Sequence, residues 1–228
     1  MNKDYIECNQ IKLAIHDGDL SKNVMNSISN GTYEWQERHL LADIVQAKER
    51  VMEIGGGIGY ISSALMASGL VEKMISYEAN PALIPIIQET WRINGHIAEC
   101  KNAVLLNSKD VKNIKFYIRS DFWASSLSPD PWGYESVEHV PALDFQDQIN
   151  EFSPTLIVCD IEGGEIDLFS SVNLSESGVK KVFLEIHPQV SGRHKIKDLF
   201  DYFSSHNFHY DAWHSSRCCI LFSHIDRS

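Results

Sequence analysis

Asp160, Glu162, Glu165 and Asp167 fall within eight residues of the stretch "LIVCDIEGGEIDLF" (156–169), directly behind an apolar run. Four carboxylates that close should repel one another, so their crowding asks for a reason. Glu185 and His187 end a second apolar run, "VKKVFLEIHP" (179–188). Asp160, Glu162 and His187 are candidates for proton transfer, because a carboxylate or an imidazole can take a proton from a reacting group. With Glu185 added, the same side chains offer the oxygen and nitrogen ligands that suit a divalent metal such as Mg2+ or Mn2+. A third reading needs no ligand: acids are stabilised at the start of a helix by its dipole. Glu165 and Asp167 are assigned to that role alone. His187, followed by Pro188, also fits a packed loop histidine.

The glycines of "VMEIGGGIGY" (51–60) carry the second signal. A strand runs into Gly55, Gly57 and Gly59, and a helix follows. Glycine belongs where a backbone needs unusual angles or must touch a ligand closely. The dinucleotide fingerprint G-x-G-x-x-G fails, because its last position, counted from Gly55, is Tyr60. The pattern is E-x-G-x-G-x-G. It resembles the first motif of class I S-adenosyl-L-methionine (SAM) methyltransferases, in which the acid, here Glu53, helps orient the methionine end of the cofactor. A carboxylate attracts that end's ammonium and repels a pyrophosphate.

Glu78 ends the next strand, 19 residues after Gly59. A carboxylate there can accept both hydroxyls of a ribose. Asn102 and Ala103, at the end of a third strand, are expected against the adenine. Tyr60 and Ala79, beside the loop and beside Glu78, join the expected cofactor contacts. Tyr33 and Glu34 are placed over the methionine end, and Asp160 either works as an acid–base group or holds the cofactor's amino group.

With these pieces located, the chain resembles the FkbM family of SAM-dependent methyltransferases. The matching stretches are "GTYE" (31–34), "EIGGGIGYIS" (53–62), "YEANP" (77–81), "NAV" (102–104), "SSL" (125–127), "CDIEGGE" (159–165) and "VFLEIH" (182–187). The family's first loop often reads D-x-G-A-N-x-G, and its second strand often ends in EPNP. This chain has "EIGGGIG" and "EANP" instead. The resemblance implies methylation, commonly of a hydroxyl, with a small molecule or saccharide as acceptor. A nitrogen or protein side-chain acceptor, and a SAM-binding module without turnover, stand as the alternatives.

Something must hold these residues together, and the chain alternates accordingly. Strands are expected at 50–55, 73–80, 99–106, 154–162 and 179–188. Helices are expected at 60–69, 82–95 and 164–172, with an amphipathic one at 195–207. An earlier helix is expected at 33–46, capped by Thr32. Strand and helix units at this spacing imply βαβ crossovers. The expected fold is α/β: the class I methyltransferase Rossmann-like fold. It has a mostly parallel seven-stranded sheet, helices on both faces and a C-terminal antiparallel hairpin from 208–214 and 218–225. One domain is expected over residues 1–228, with an N-terminal helical cap at 1–46. Residues 113–145 break the rhythm and read as an antiparallel insertion and loop, placed as a substrate lid. Its aromatics Trp123, Trp132 and Tyr134 suit either stacking on an acceptor or packing the lid itself. Ser125 and Ser126 suit a cofactor hydrogen bond or a turn.

Bulk composition narrows the partners. The formal charge is −11 and no basic stripe is present, so no nucleic-acid partner is expected. No run of 18 apolar residues occurs, so no membrane span is expected. The five cysteines are odd in number and form no C-x-x-C pair, which points to a reducing, cytoplasmic setting.

Overall fold

The computed structural model describes residues 5–16, 20–121, 124–129 and 133–227. In chain order the elements begin with β1 (Ile6–Cys8), β2 (Ile11–Leu13), α1 (Lys22–Ser29) and α2 (Trp35–Ile44). The alternation follows: β3 (Glu49–Ile54), α3 (Tyr60–Ala67), β4 (Val71–Glu78), α4 (Ile84–Ile93) and β5 (Glu99–Asn102). Next come β6 (Val104–Leu106), β7 (Asn113–Ile118), β8 (Ser136–Asp144) and α5 (Phe145–Phe152). The rest is β9 (Leu156–Cys159), α6 (Glu165–Phe169), β10 (Lys181–Glu185), α7 (Pro188–Ser205), β11 (Phe208–Tyr210) and β12 (Cys219–His224).

Seven strands share one sheet in the order β11-β12-β10-β9-β3-β4-β5. The pairings from β10 across to β5 are parallel, and β12 runs antiparallel to both β10 and β11. This is the sheet expected from the sequence, closed by the C-terminal hairpin. The central strands read as continuous apolar runs because both of their faces are covered. The pleat divides them: Val51, Met74 and Val158 pack with the core on the side of α2, α3 and α4. Met52, Ile75 and Ile157 pack on the opposite face, with Phe169 and Phe203 from α6 and α7. Among the described residues, no helix is long and apolar enough to cross a membrane.

Four local expectations change. Residues 99–106 are not one strand. The backbone N–H of Ala103 donates to the carbonyl of Glu78, which ends the pairing with β4. Then β6 leaves to pair in parallel with β8, which pairs antiparallel with β7. Thr32 does not cap α2. Its hydroxyl donates to the carbonyl of Ser27, and Glu34 occupies the cap position with φ 42° and no side-chain cap bond. The helix α5 adds to the expected elements, with Phe145, Gln148 and Ile149 on its buried side. It starts where the Asp144 carboxylate accepts the N–H of Asp147. Residues before α2, weakly patterned in sequence, form the β1–β2 hairpin and α1.

Chain order along the sheet reverses between β3 and β9: β4 and β5 extend one way, β10 and β12 the other. Open α/β sheets bind ligands in the crevice beyond the carboxyl ends of the strands at such a switch point. That crevice is where the carboxylates at the ends of β3, β4, β9 and β10 arrive.

Candidate active site

The glycine loop leaves β3 and turns into α3 through Gly55, Gly57 and Gly59, all at positive φ. Gly55 has a packing reason of its own. A Cβ there would lie 1.8 Å from the backbone carbonyl oxygen of Asp160, so β3 and β9 can close together only over a bare Cα. Gly57 presents its N–H to Glu78 Oε2 at 2.9 Å, while the N–H of Asn80 donates to Oε1 at 2.6 Å. Burial pushes the Glu78 carboxyl up, and these backbone donors work against that rise. The result is a carboxylate fixed between the ends of two strands. Asn80 itself turns away, its Oδ1 accepting the N–H of Ala82.

A cavity of about 600 Å3 opens over these strand ends, a size typical of small-ligand sites. Glu34, Gly55, Gly57, Glu78, Ala79, Ala103, Asp160 and Glu162 all line it. Gly59 and Tyr60, by contrast, are absent from its wall. The Tyr60 hydroxyl accepts from Asn9 at 3.0 Å and its ring packs on Tyr33, tying the N-terminal hairpin to α3. Asn102 also stays out of the wall. Its side-chain amide donates to the carbonyls of Glu78 and Ala79, which shapes the turn rather than touching the cavity.

Glu53 lies behind the loop, buried, with Ser76 Oγ donating to its Oε2 at 2.5 Å. Glu34, Glu53, Asp160 and Glu185 meet around a much smaller cavity of about 30 Å3 that shares Gly55 with the larger one. Burial pushes Glu34 up to about 8 and Glu53 up to about 7. Burial, with neighbouring Glu37, pushes Glu185 up to about 7. Asp160 stands well above the usual carboxylate range because of burial and its neighbours Glu185 and Glu162. Such a ring of acids is tolerable only with protons or a cation in it.

His187 sits at the joint between β10 and α7, with 9% of its side chain exposed. Its Nδ1–H donates to Glu165 Oε1 at 2.9 Å. Its Nε2 lies 3.3 Å from Glu162 Oε2 and 3.8 Å from Asp160 Oδ1. Burial alone would lower its pKa, but Glu162 and Glu165 outweigh burial and push it up to about 11. With both ring nitrogens facing carboxylates, the protonated ring is favoured in the ligand-free chain. Accepting a proton at Nε2, or bonding a metal there, requires loss of the proton that these carboxylates favour.

Glu165 departs from its expected role as a simple helix-start acid. Its side chain is wholly buried, and Oε1 accepts from the N–H of Gly163 at 2.9 Å as well as from His187. Asp167 does face solvent, paired with Lys195. Glu162 holds φ 55°, an uncommon angle for a residue with a side chain, and strain of that kind clusters at functional sites. Sequence reading also missed Arg119, which is buried in the cavity wall. Its guanidinium donates to the carbonyls of Ala124 and Ser128, and to Ser126 Oγ. Ser125 Oγ accepts the N–H of Arg119, so both serines fold the insertion loop. An arginine within "YIRSD" has no spacing signal that reveals such a role. Tyr134 packs edge-on against Tyr117 and is half exposed. Trp123 and Trp132 lie outside the described residues.

No family model matches the chain, and no curated protein does. Solved structures do match it. A SAM complex of a candidate tRNA (m1A22) methyltransferase from Streptococcus pneumoniae aligns with TM-score 0.51 at 11% identity. The alignment covers 83% of this chain and 72% of that one. A candidate transferase from Pyrococcus horikoshii aligns with TM-score 0.51 at 12% identity, covering 95% and 68%. The Pyrococcus abyssi tRNA (uracil-54, C5)-methyltransferase, bound to S-adenosyl-L-homocysteine, aligns with TM-score 0.50 at 12% identity. That alignment covers 98% of this chain and 44% of the other. Likeness at such low identity is a likeness of fold. The chain has the α/β Rossmann-like fold of the class I methyltransferases.

Proposed function

We propose that this chain is a SAM-dependent methyltransferase acting on a hydroxyl of a small molecule or saccharide, as the FkbM resemblance implies. One observation carries the reading. The glycine loop, the backbone-fixed carboxylate of Glu78 and the acids ending β9 border a single cavity of ligand size at the sheet's switch point. The residues present fit the cofactor. Glu78 would hold the ribose hydroxyls. Ala79, Ala103 and Phe116 give apolar walls for the adenine. Glu34 and Glu53, around the small cavity beside Gly55, suit the ammonium group. Bound there, SAM supplies a methyl group on a cationic sulfur.

The remaining chemistry belongs to the chain. A hydroxyl is a weak nucleophile until a base removes its proton. Glu162 suits that role, since it lines the cavity and holds a strained backbone angle of the kind that clusters at functional sites. His187 Nε2 lies 3.3 Å from Glu162 and 3.8 Å from Asp160 and orients both. Two of the similar structures carry tRNA in their names. Here a net charge of −11 and a carboxylate-lined mouth oppose a polyanionic acceptor.

The test is incubation of the full chain with methyl-labelled SAM and panels of saccharides, hydroxylated small molecules, peptides and tRNA. Transfer to a hydroxyl compound is expected, cut about 100-fold or more in Glu162→Gln with SAM binding retained. Label appearing in tRNA or peptide instead would overturn the acceptor class. Tight NAD binding without SAM binding would overturn the whole reading.

A further inference from the structure

We propose that Asp160, Glu185 and His187 bind one hard divalent cation of the Mn2+ type, where β9 and β10 end beneath the cavity. One carboxylate oxygen from Asp160, one from Glu185 and a ring nitrogen of His187 all lie within 4.8 Å of one another. Ligand atoms bonded to a common ion at roughly 2.0–2.3 Å stand no farther apart than that.

The histidine is prepared for the role. A metal-bound histidine characteristically gives its other ring N–H to a carboxylate, which fixes the tautomer and aims the free nitrogen at the ion. Glu165, wholly buried on α6 and not itself one of the three, takes Nδ1–H at 2.9 Å; Nε2 faces Glu162 at 3.3 Å and Asp160 at 3.8 Å, and the ion would replace the proton there.

A second, separate observation points to a positive partner beyond His187. Asp160 Oδ1 and Glu165 Oε2 are buried carboxylate oxygens with no hydrogen-bond partner among the described residues. They flank His187 on its two sides, and Glu165 is fully enclosed. A buried, unsatisfied carboxylate oxygen calls for an ion or a donor. No lysine or arginine among the described residues pairs with Asp160, Glu162 or Glu185. Carboxylates with one imidazole suit Mn2+ better than a thiolate-loving ion. The neighbouring trio Glu37, Glu185 and Cys219 is the weaker candidate, because its sulfur is already engaged with Glu37 Oε1 at 3.0 Å.

The experiment is a titration of the EDTA-treated, dialysed full chain with MnCl2, followed by electron paramagnetic resonance of free Mn2+ and by calorimetry. One ion per chain is expected, with Kd of about 100 µM or tighter. Asp160→Asn, Glu185→Gln and His187→Asn should each weaken it at least about tenfold, and Glu165→Gln by a similar factor. Thermal unfolding checks that each variant is folded. Pulsed resonance on the unaltered protein adds a test that no variant can spoil: nitrogen modulation from a bound imidazole is expected. Absence of a site below about 1 mM, absence of nitrogen coupling, or equal affinity in all variants would each overturn the proposal. So would one-for-one displacement of Mn2+ by SAM, which would give these carboxylates to the cofactor's ammonium. SAM binding is measured separately, so the methyltransferase reading stands or falls on its own result.

Discussion

Glu165 Oε1 and His187 Nδ1 stand 2.9 Å apart, joining the first turn of α6 to the mouth of α7 across 22 positions of sequence. The same oxygen accepts the N–H of Gly163. One buried carboxylate thus fixes the wall of the cavity and the ring that faces Glu162 and Asp160. Glu165→Ala should leave a buried imidazolium and a backbone N–H without their acceptor, costing about 3 kcal/mol of stability. Urea unfolding measures it. A change under about 0.5 kcal/mol, the range of ordinary surface substitutions, would deny Glu165 this role.

Glu78 accepts two backbone N–H groups while facing the cavity. Glu78→Gln keeps the shape but swaps an acceptor oxygen for an amide nitrogen that clashes with one of those donors. SAM affinity, read by calorimetry, should fall at least about tenfold, the equivalent of one charged hydrogen bond. Retained affinity would mean that the ribose is held elsewhere.

Two glycines at similar positive φ should respond differently to alanine. Gly55→Ala forces a methyl to within 1.8 Å of the Asp160 carbonyl oxygen, whereas a methyl at Gly69 meets nothing within 4 Å. Gly69→Ala should cost about 1 kcal/mol, from its backbone angle alone. Gly55→Ala should cost about 3 kcal/mol or more and separate β3 from β9. Equal losses in denaturant titrations would refute the close approach.

The pH dependence of the ligand-free chain follows from Glu34 and Glu53, which burial pushes up to about 8 and about 7 from a common starting value of 4.5. The folded state holds these protons more tightly than the unfolded chain does. Their contribution to stability is therefore full below pH 4.5 and is lost as pH rises through 7 and 8. The melting temperature should be lower at pH 8.5 than at pH 6.0, by about 5 °C. Glu53→Gln should flatten that difference. A chain that melts higher at pH 8.5 would contradict the assigned directions.

Much of the site was legible in the sequence because its parts are local. The run "VMEIGGGIG" states strand, turn and helix start within nine residues, and Glu78 follows at the end of the next apolar run. Gly55, Gly57 and Glu78 line the cavity, while Gly59 stays off its wall. Asp160, Glu162, Glu185 and His187 also converge, because β9 and β10 are parallel neighbours and their ends lie side by side. Glu165 was misjudged because helix-start acids normally face water. Its burial depends on α6 packing against α7, a contact between segments whose order says nothing of their facing sides. Tyr60 and Asn102 sit beside the right motifs but point elsewhere, since direction within a turn depends on backbone angles and not on adjacency.

The sequence by itself determined the alternation of strands and helices and the set of acids delivered to the strand ends. Periodicity and glycine placement act over a few residues, where local sterics and burial decide. The tertiary structure alone decided what those acids do to one another. Whether a carboxylate is ionised or protonated, or faces a histidine, depends on burial and on separations of 3 to 4 Å between residues far apart in the chain. That is why the setting of His187, a candidate base in sequence, is fixed by Glu165 on one ring nitrogen and Glu162 on the other.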